Sequence, residues 1–457
     1  MQLKVPAPLD PAFRPLETEL RQYEQDVKNS GAGVDFAVLI LRDRNACDHY
    51  RTMIFSDGAD ARTLPIMDRL IKTLLWVWGG YKIVVHGSKV MYEHLAAAYQ
   101  AGGERAFDAD FMSTVYERPF EVAYAENLED ALQTRSSAGR VGRHLQGCRI
   151  GFDAGGSDRK VSAVIDGETV YSEEVVWHPK TQSDPQYHFD GILDSMKRAA
   201  SHMPRVDGIG VSTAGVIIDS RVMVASLFIK VSREDFIARV QNIYKDVAKE
   251  IGAPVAVAND GDVTALAGAM ELDVGNVLGI AMGTSEAGGY VDKDMNIAGW
   301  LNELAFVPVD LNDQSPRDEW SGDWGCGVEY FSQEAVIKLA PAAGIDFAPG
   351  LTPAEKLNAV QQAMRDGHPG AVKIYESIGV YFGYTLAWYS RFYAIDHVLI
   401  MGRVTSGEGG HAILRKAKEV LSAEFPDMAA HIELHIPDEN SRRVGQSVAA
   451  ASLPELG

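Results

Sequence analysis

Residues 149–156 read RIGFDAGG, an apolar run that ends in glycines, and they lead directly into VSAVI (161–165) and TVYSEEV (169–175) around Asp166-Gly167. An Asp-Gly pair between two strand-like runs signals a two-residue hairpin turn. The stretch therefore predicts a strand, a glycine loop and a hairpin in direct succession. Downstream, VDGIGVSTAG (206–215) predicts a second strand entering a glycine turn. Ser232 with Asp235 resembles a capping box opening an amphipathic helix that runs to about Ile251 and stops at Gly252. The pattern then repeats: PVAVAND (254–260) as strand, GDVTALAGAMEL (261–272) as helix, and VLGIAMGTSEAGGYV (277–291) as strand, glycine loop and strand. A long helix at about 369–394, the strand HVLIMG and a helix at 409–424 follow. Strands alternating with helices indicate α/β layers.

Upstream, residues 1–147 read as a separate unit: a strand-like FAVLIL (36–41), a helix at 64–77, a strand-like YKIVVH and a helical VMYEHLAAAYQ. The small-residue segment SSAGRVGRHLQG (136–147) reads as the linker into the next domain. At 457 residues the chain is expected to fold as more than one domain, with boundaries at 147/148 and 260/261. It has no bilayer-length apolar segment and no signal-peptide core, and its three cysteines, Cys47, Cys148 and Cys326, are too scattered for a disulfide framework. A cytoplasmic protein is expected. A formal charge of −20 argues against nucleic acid or an anionic membrane as the main partner, because both require clustered Lys and Arg. A small anionic ligand is still admitted, since backbone N–H groups and a metal ion can supply local positive potential.

Three elements carry chemistry. In Asp153-Ala-Gly155-Gly156-Ser157, glycines at a strand end let a phosphate approach the backbone N–H groups, and Asp153 can hold a metal-bound water. Gly283-Thr284-Ser285, with Gly288-Gly289 just after, offers flexible backbone and two hydroxyl donors. Each loop alone is also explained by a tight hairpin. Between them, Asn259-Asp260-Gly261-Asp262 lies where a strand gives way to a helix, so that a carboxylate projects from the sheet edge. Phosphoryl transfer needs alignment, charge neutralisation and one carboxylate to deprotonate the attacking hydroxyl, a role that suits Asp260. A plain helix N-cap is the competing account of Asp260 or Asp262.

Read together, these residues resemble the ROK family of sugar kinases within the hexokinase, Hsp70 and actin superfamily. The family's DxGGT, NDxN and GTGxGGG motifs appear here, in order, as DAGGS, NDGD and GTSEAGG. Its adenosine motif is echoed by VLIMGRVTSGEGGHAI (398–413), with Gly402 and Arg403 at the turn. The resemblance implies an α/β, two-lobed actin-like ATPase (ribonuclease H-like) fold with nucleotide and acceptor meeting in the cleft, and an additional N-terminal α/β unit. It further implies ATP and Mg2+ as cofactors, the metal bound at Asp153 through water.

Aligning NELAFVPV (302–309) with the family's GExGHxPV places Glu303 on the sugar-binding glutamate. The family histidine that binds sugar and zinc is replaced by Phe306, and its cysteine cluster is reduced to Cys326 in WGCGVEYFSQEA. One cysteine makes no tetrahedral zinc site, so no structural zinc is expected and Cys326 reads as a small core residue. VASLFIKVSRED (224–235) stands where glucokinases carry Asn-Leu-x-Gly-Trp, which argues against glucose. Glu329 is a second candidate acceptor contact, or equally a helix-start carboxylate. Ser212, Thr213 and Gly215 follow the GIGV strand and are candidates for the same cleft, although ordinary turn capping explains them too. The expected activity is phosphorylation of a sugar, amino sugar or cyclitol hydroxyl with Asp260 as base, and a homodimer is the expected assembly. The alternatives are a sugar-sensing regulator and a degenerate nucleotide binder.

Overall fold

Asp166 and Gly167 take the two left-handed positions of the predicted turn, at φ 51° and 89°. They join β6 (Asp158–Ile165) to β7 (Glu168–Val176), as the Asp-Gly signal requires. A computed structural model of the protein describes residues 2–43, 45–135, 142–437 and 439–456, with the side chains of 439–444 left out. Residues 136–141 of the expected linker lie outside the described residues.

The chain begins with α1 (Leu16–Ser30), β1 (Gly33–Leu41), β2 (Cys47–Phe55), α2 (Thr63–Trp78), β3 (Lys82–His86), α3 (Lys89–Ala98), α4 (Ala106–Tyr116) and β4 (Glu121–Tyr124). Their sheet has the order β2-β1-β3-β4. A second sheet, β11-β8-β5-β6-β7, contains β5 (Cys148–Ala154), β8 (Gly208–Thr213) and β11 (Val255–Asn259) as parallel strands, flanked by α5 (Pro185–Ala200). The small hairpin β9 (Val216–Ile218) and β10 (Arg221–Val224) leaves the end of β8. A third sheet, β13-β12-β14-β15, is built from β12 (Val277–Met282), β13 (Glu286–Val291), β14 (His397–Met401) and β15 (Glu433–His435).

The helix expected from Ser232 to Ile251 is interrupted. Ser232 caps α6 (Arg233–Asp235) as predicted, residues 236–240 widen into a π turn, and α7 (Ile243–Ile251) then runs to Gly252 in a left-handed conformation. The Gln241 carbonyl accepts from the backbone N–H of Val222 in β10 at 2.9 Å, a bond to the neighbouring strand at the point where the helix breaks.

The remaining helices are α8 (Asp260–Leu272), α9 (Gln333–Leu339), α10 (Pro353–Arg365), α11 (Pro369–Tyr389), α12 (Glu408–Glu424), α13 (Pro426–Ala429) and α14 (Glu439–Ala451). No helix among the described residues is long and apolar enough to cross a membrane.

Packing joins residues across the expected boundaries in two places. Residues 1–147 do not keep a core to themselves, because Leu20, Tyr23, Phe36 and Leu70 share one hydrophobic core with Leu278, Tyr330, Tyr381 and Val420 of the third-sheet lobe. The β5 lobe has its own core around Phe152, Ile209, Val211 and Val247. At the other end, α14 crosses back over β5 and β8. Glycines in those strands allow it: a Cβ at Gly151 would lie 1.7 Å from the Ser447 carbonyl oxygen, and one at Gly210 would lie 1.5 Å from that of Ala450. Glycine inside a strand marks such a close approach of another backbone.

Candidate active site

β5 and β8 run parallel in a register that sets Asp153 beside Ser212. Ser212 Oγ donates to Asp153 Oδ1 at 2.8 Å, and Gln446 Nε2 donates to Ser212 Oγ at 3.2 Å. Both Asp153 and Ser212 are buried. Burial pushes the Asp153 carboxyl up to about 6; the Ser212 bond opposes this and the charge of Asp260 adds to it. The adjoining β5–β6 turn is open, with Gly156 and Ser157 exposed. The indole N–H of Trp177 fixes the turn from below, donating to the Gly155 carbonyl at 2.8 Å. An exposed lysine, Lys180, stands over it, its Nζ 3.6 Å from where a Gly156 Cβ would sit. Lone lysines carry no motif, and the sequence offered no signal for this one.

At the end of β11, Asn259 rather than either aspartate caps α8. Its Oδ1 accepts from the Gly261 N–H at 2.7 Å, and its Nδ2 donates to the Gly215 carbonyl at 2.8 Å. Asp260 is thereby left in the first turn, half-buried, with Oδ1 accepting from the Gly261 N–H at 3.0 Å. Burial holds its carboxyl above the ordinary range. Asp262 accepts from the Tyr290 N–H at 3.1 Å and from Asn302 Nδ2 at 2.9 Å, and burial takes it to about 7.

Gly261 faces β13, where a Cβ on it would meet the Gly288 carbonyl oxygen at 2.2 Å. A Cβ on Gly289 would in turn meet the Gly261 oxygen at 2.1 Å. Gly288 is buried here, beneath Leu304, away from the exposed part of the loop. The Gly-Gly pair is thus required by the packing of β13 against the head of α8.

Glu303 is brought to the same place from the following loop, its backbone N–H donating to the Trp76 carbonyl at 3.2 Å. Burial raises its carboxyl to about 7, and the charges of Asp260 and Asp262 add to the effect. Asp153, Asp260, Asp262 and Glu303 therefore form one electrostatically coupled group. Glu329 does not join them: burial raises it to about 7, and the charges bearing on it are Lys338, Glu334, Asp318 and Glu319.

The second glycine loop meets the 402–403 turn because β12 and β14 are parallel neighbours. Thr284 is exposed, and Arg403 Nη2 donates to its Oγ1 at 3.0 Å. Gly402 sits at φ 101°, with the Met282 carbonyl oxygen 2.3 Å from where a Cβ would be, so no side chain fits. Gly283, Thr284, Ser285, Gly402 and Arg403 are thus brought together.

Sequence reasoning missed how the N-terminal elements reach this region. Phe306 packs against Trp76 of α2 and Phe107 and Phe111 of α4, with ring centroids 4.3, 5.5 and 6.3 Å away. Aromatic side chains thus surround the position of the family histidine. Cys326 is fully buried beside Lys72, and burial pushes its thiol up to about 12, which leaves it protonated and inert. A cleft of about 420 Å³ lies between these elements and the β5 lobe, lined by Tyr116, Arg118, Gly215, Ser220, Asn259 and Asp262 among others.

The sequence model of the ROK family matches residues 149–450. Among solved structures, a ROK hexokinase from Thermus thermophilus superposes with a TM-score of 0.52 at 17% identity, over 66% of this chain and 96% of its own. A ROK family transcriptional regulator, a homologue of the E. coli MLC protein, superposes with a TM-score of 0.51 at 18% identity, over 70% of this chain and 80% of its own. No curated protein sequence matches the chain.

Proposed function

The chain belongs to the ROK family and has its two-lobed actin-like ATPase fold, and from that premise we propose that it transfers a phosphoryl group from ATP to a hydroxyl of a sugar, amino sugar or cyclitol. The family includes sugar kinases and transcriptional regulators. The observation that favours catalysis is Asp260. It is a half-buried carboxylate in the first turn of α8, freed from capping by Asn259 and made more basic by burial. A carboxylate so tuned suits removal of a proton from an attacking hydroxyl near neutral pH.

Glu303 and Asn259 would hold the acceptor hydroxyls beside Asp260, and Ser212 would fix Asp153. A buried carboxylate crowded by another negative charge fits a hard divalent cation, which relieves that crowding, so Asp153 is the proposed magnesium ligand, through water. ATP supplies the phosphoryl group when bound, and magnesium neutralises its charge. Backbone N–H groups of Gly155, Gly156, Ser157, Thr284 and Ser285 would grip the phosphates, the Gly283 N–H bracing its loop by donating to the Ser285 carbonyl at 2.9 Å, with Gly402 and Arg403 toward the nucleoside. Lys180 adds a mobile cation over the first loop. The three cysteines are free and buried, in keeping with a reducing cytoplasm as the proposed location.

The alternative of a non-catalytic sugar-sensing regulator gains little from residues 1–147. Among the described residues, their four-stranded sheet and helices share a core with the rest of the chain. Incubation with Mg-ATP and a panel of hexoses, amino sugars and cyclitols tests the proposal. Acceptor-dependent formation of a phosphate ester, read by mass, supports it; no ester across the panel counts against it.

A further inference from the structure

The third sheet ends in a short edge strand, β15, whose three residues run parallel to β14 with His397 opposite Glu433 and Leu399 opposite His435. Residues two apart on a strand point to the same face, so Glu433 and His435 project together, next to His397. Nδ1 of His397 lies 3.2 Å from Nε2 of His435. Oε2 of Glu433 lies 4.0 Å from the first nitrogen and 3.8 Å from the second. None of these side chains takes part in the site around Asp260. His397 begins β14 and Gly402 follows its other end, so the strand's length separates the two places.

We propose that His397, Glu433 and His435 bind a divalent transition-metal ion of the zinc type, which clips β15 to β14. Tetrahedral zinc with nitrogen and oxygen ligands at about 2.0–2.2 Å holds them about 3.3 Å from one another. The two ring nitrogens already stand at that spacing. A single N–H···N hydrogen bond would account for the ring pair but not for the carboxylate facing both nitrogens. Glu433 is 68% exposed, so its free side chain can swing inward by the remaining fraction of an ångström.

Two imidazoles and one carboxylate suit zinc-type ions rather than magnesium or calcium, which take all-oxygen shells. Both rings must be neutral to coordinate. Three protein ligands leave the fourth position to water, so this site is open. A bound ion adds a cross-link to a strand otherwise held by a three-residue ladder, at a sheet edge where pairing is weakest.

The test uses the full chain, stripped with EDTA and dialysed, with Zn2+ titrated calorimetrically and Co2+ followed by its visible absorption. One zinc per chain is expected, with a tetrahedral cobalt spectrum and a zinc-dependent rise in the unfolding temperature. His435→Ala should weaken zinc binding by about tenfold or more, because one of three protein ligands is lost. Glu433→Gln, at an exposed position that bears little on folding, should weaken it and change the cobalt band. No zinc uptake, or uptake that both variants leave unchanged, would overturn the proposal. Phosphotransfer assays do not enter the readout, so the site stands or falls apart from the proposed activity.

Discussion

Asn259 ties Gly215 to the head of α8: its Nδ2 donates to the Gly215 carbonyl while its Oδ1 accepts from Gly261, so one amide joins the β9–β10 hairpin to the helix that carries Asp260. Asn259→Ala removes the cap and should cost about 1 kcal/mol of stability, measured by denaturant unfolding. Asn259→Asp can still cap the helix, but it turns a carboxylate toward the Gly215 carbonyl. Its turnover should fall by more than its stability does.

Ser212→Ala removes the bond that holds Asp153 ionised. The Asp153 carboxyl should then titrate above about 6. Hydrogen bonds to charged groups are worth about 1.5–3 kcal/mol, so at pH 7 the ionised fraction of Asp153 should fall and half-maximal activity should need about two- to fifteenfold more Mg2+. An unchanged magnesium dependence would remove Asp153 from the metal site.

Much of the first three elements could be read from the sequence because glycine at a strand end has few other uses. Asp153–Ser157, Asn259–Asp262 and Gly283–Ser285 all fall at strand termini, as read. Glycine also serves packing, for Gly288 is buried under Leu304. Gly151 and Gly210, in mid-strand, carried a signal for close backbone approach that could have foretold α14 lying across β5 and β8. The N-terminal helix LPIMDRLIKTLLWVW could be read as buried but not for its partner. Its Arg69 and Lys72 look like a solvated face, yet both pair with Asp323, 254 and 251 residues away. Charge pairs so distant in sequence leave no periodic trace.

The charge of Asp260 makes the buried Glu303 carboxyl harder to ionise. If Asp260 must be deprotonated, kcat/KM should rise with pH through the neutral range and level off above it, with apparent values belonging to the coupled group. Glu303→Gln removes one titrating carboxyl from that group and should alter the rise while raising KM for the acceptor. A pH profile identical to wild type would separate Glu303 from the site.

Glu286, at the start of β13, is buried with neither carboxyl oxygen in a well-formed hydrogen bond, and burial raises it to about 8. Its ordinary value is 4.5, so the folded protein keeps a proton that the unfolded chain releases. The associated stability is present below about 4.5 and is lost as pH rises through about 8. Glu286→Gln should therefore flatten the alkaline decline and stabilise the protein at pH 8–9, by a few kcal/mol at most. Unfolding midpoints measured across that range check it.

Substitution of the proposed base tests the central claim most directly. With an accepted sugar, amino sugar or cyclitol in hand, kcat of Asp260→Asn is compared with wild type under saturating Mg-ATP, alongside calorimetric nucleotide binding. The expected result is a fall in kcat of about 10²–10⁴-fold with nucleotide affinity retained. A variant that phosphorylates the acceptor at the wild-type rate would contradict Asp260 as the base.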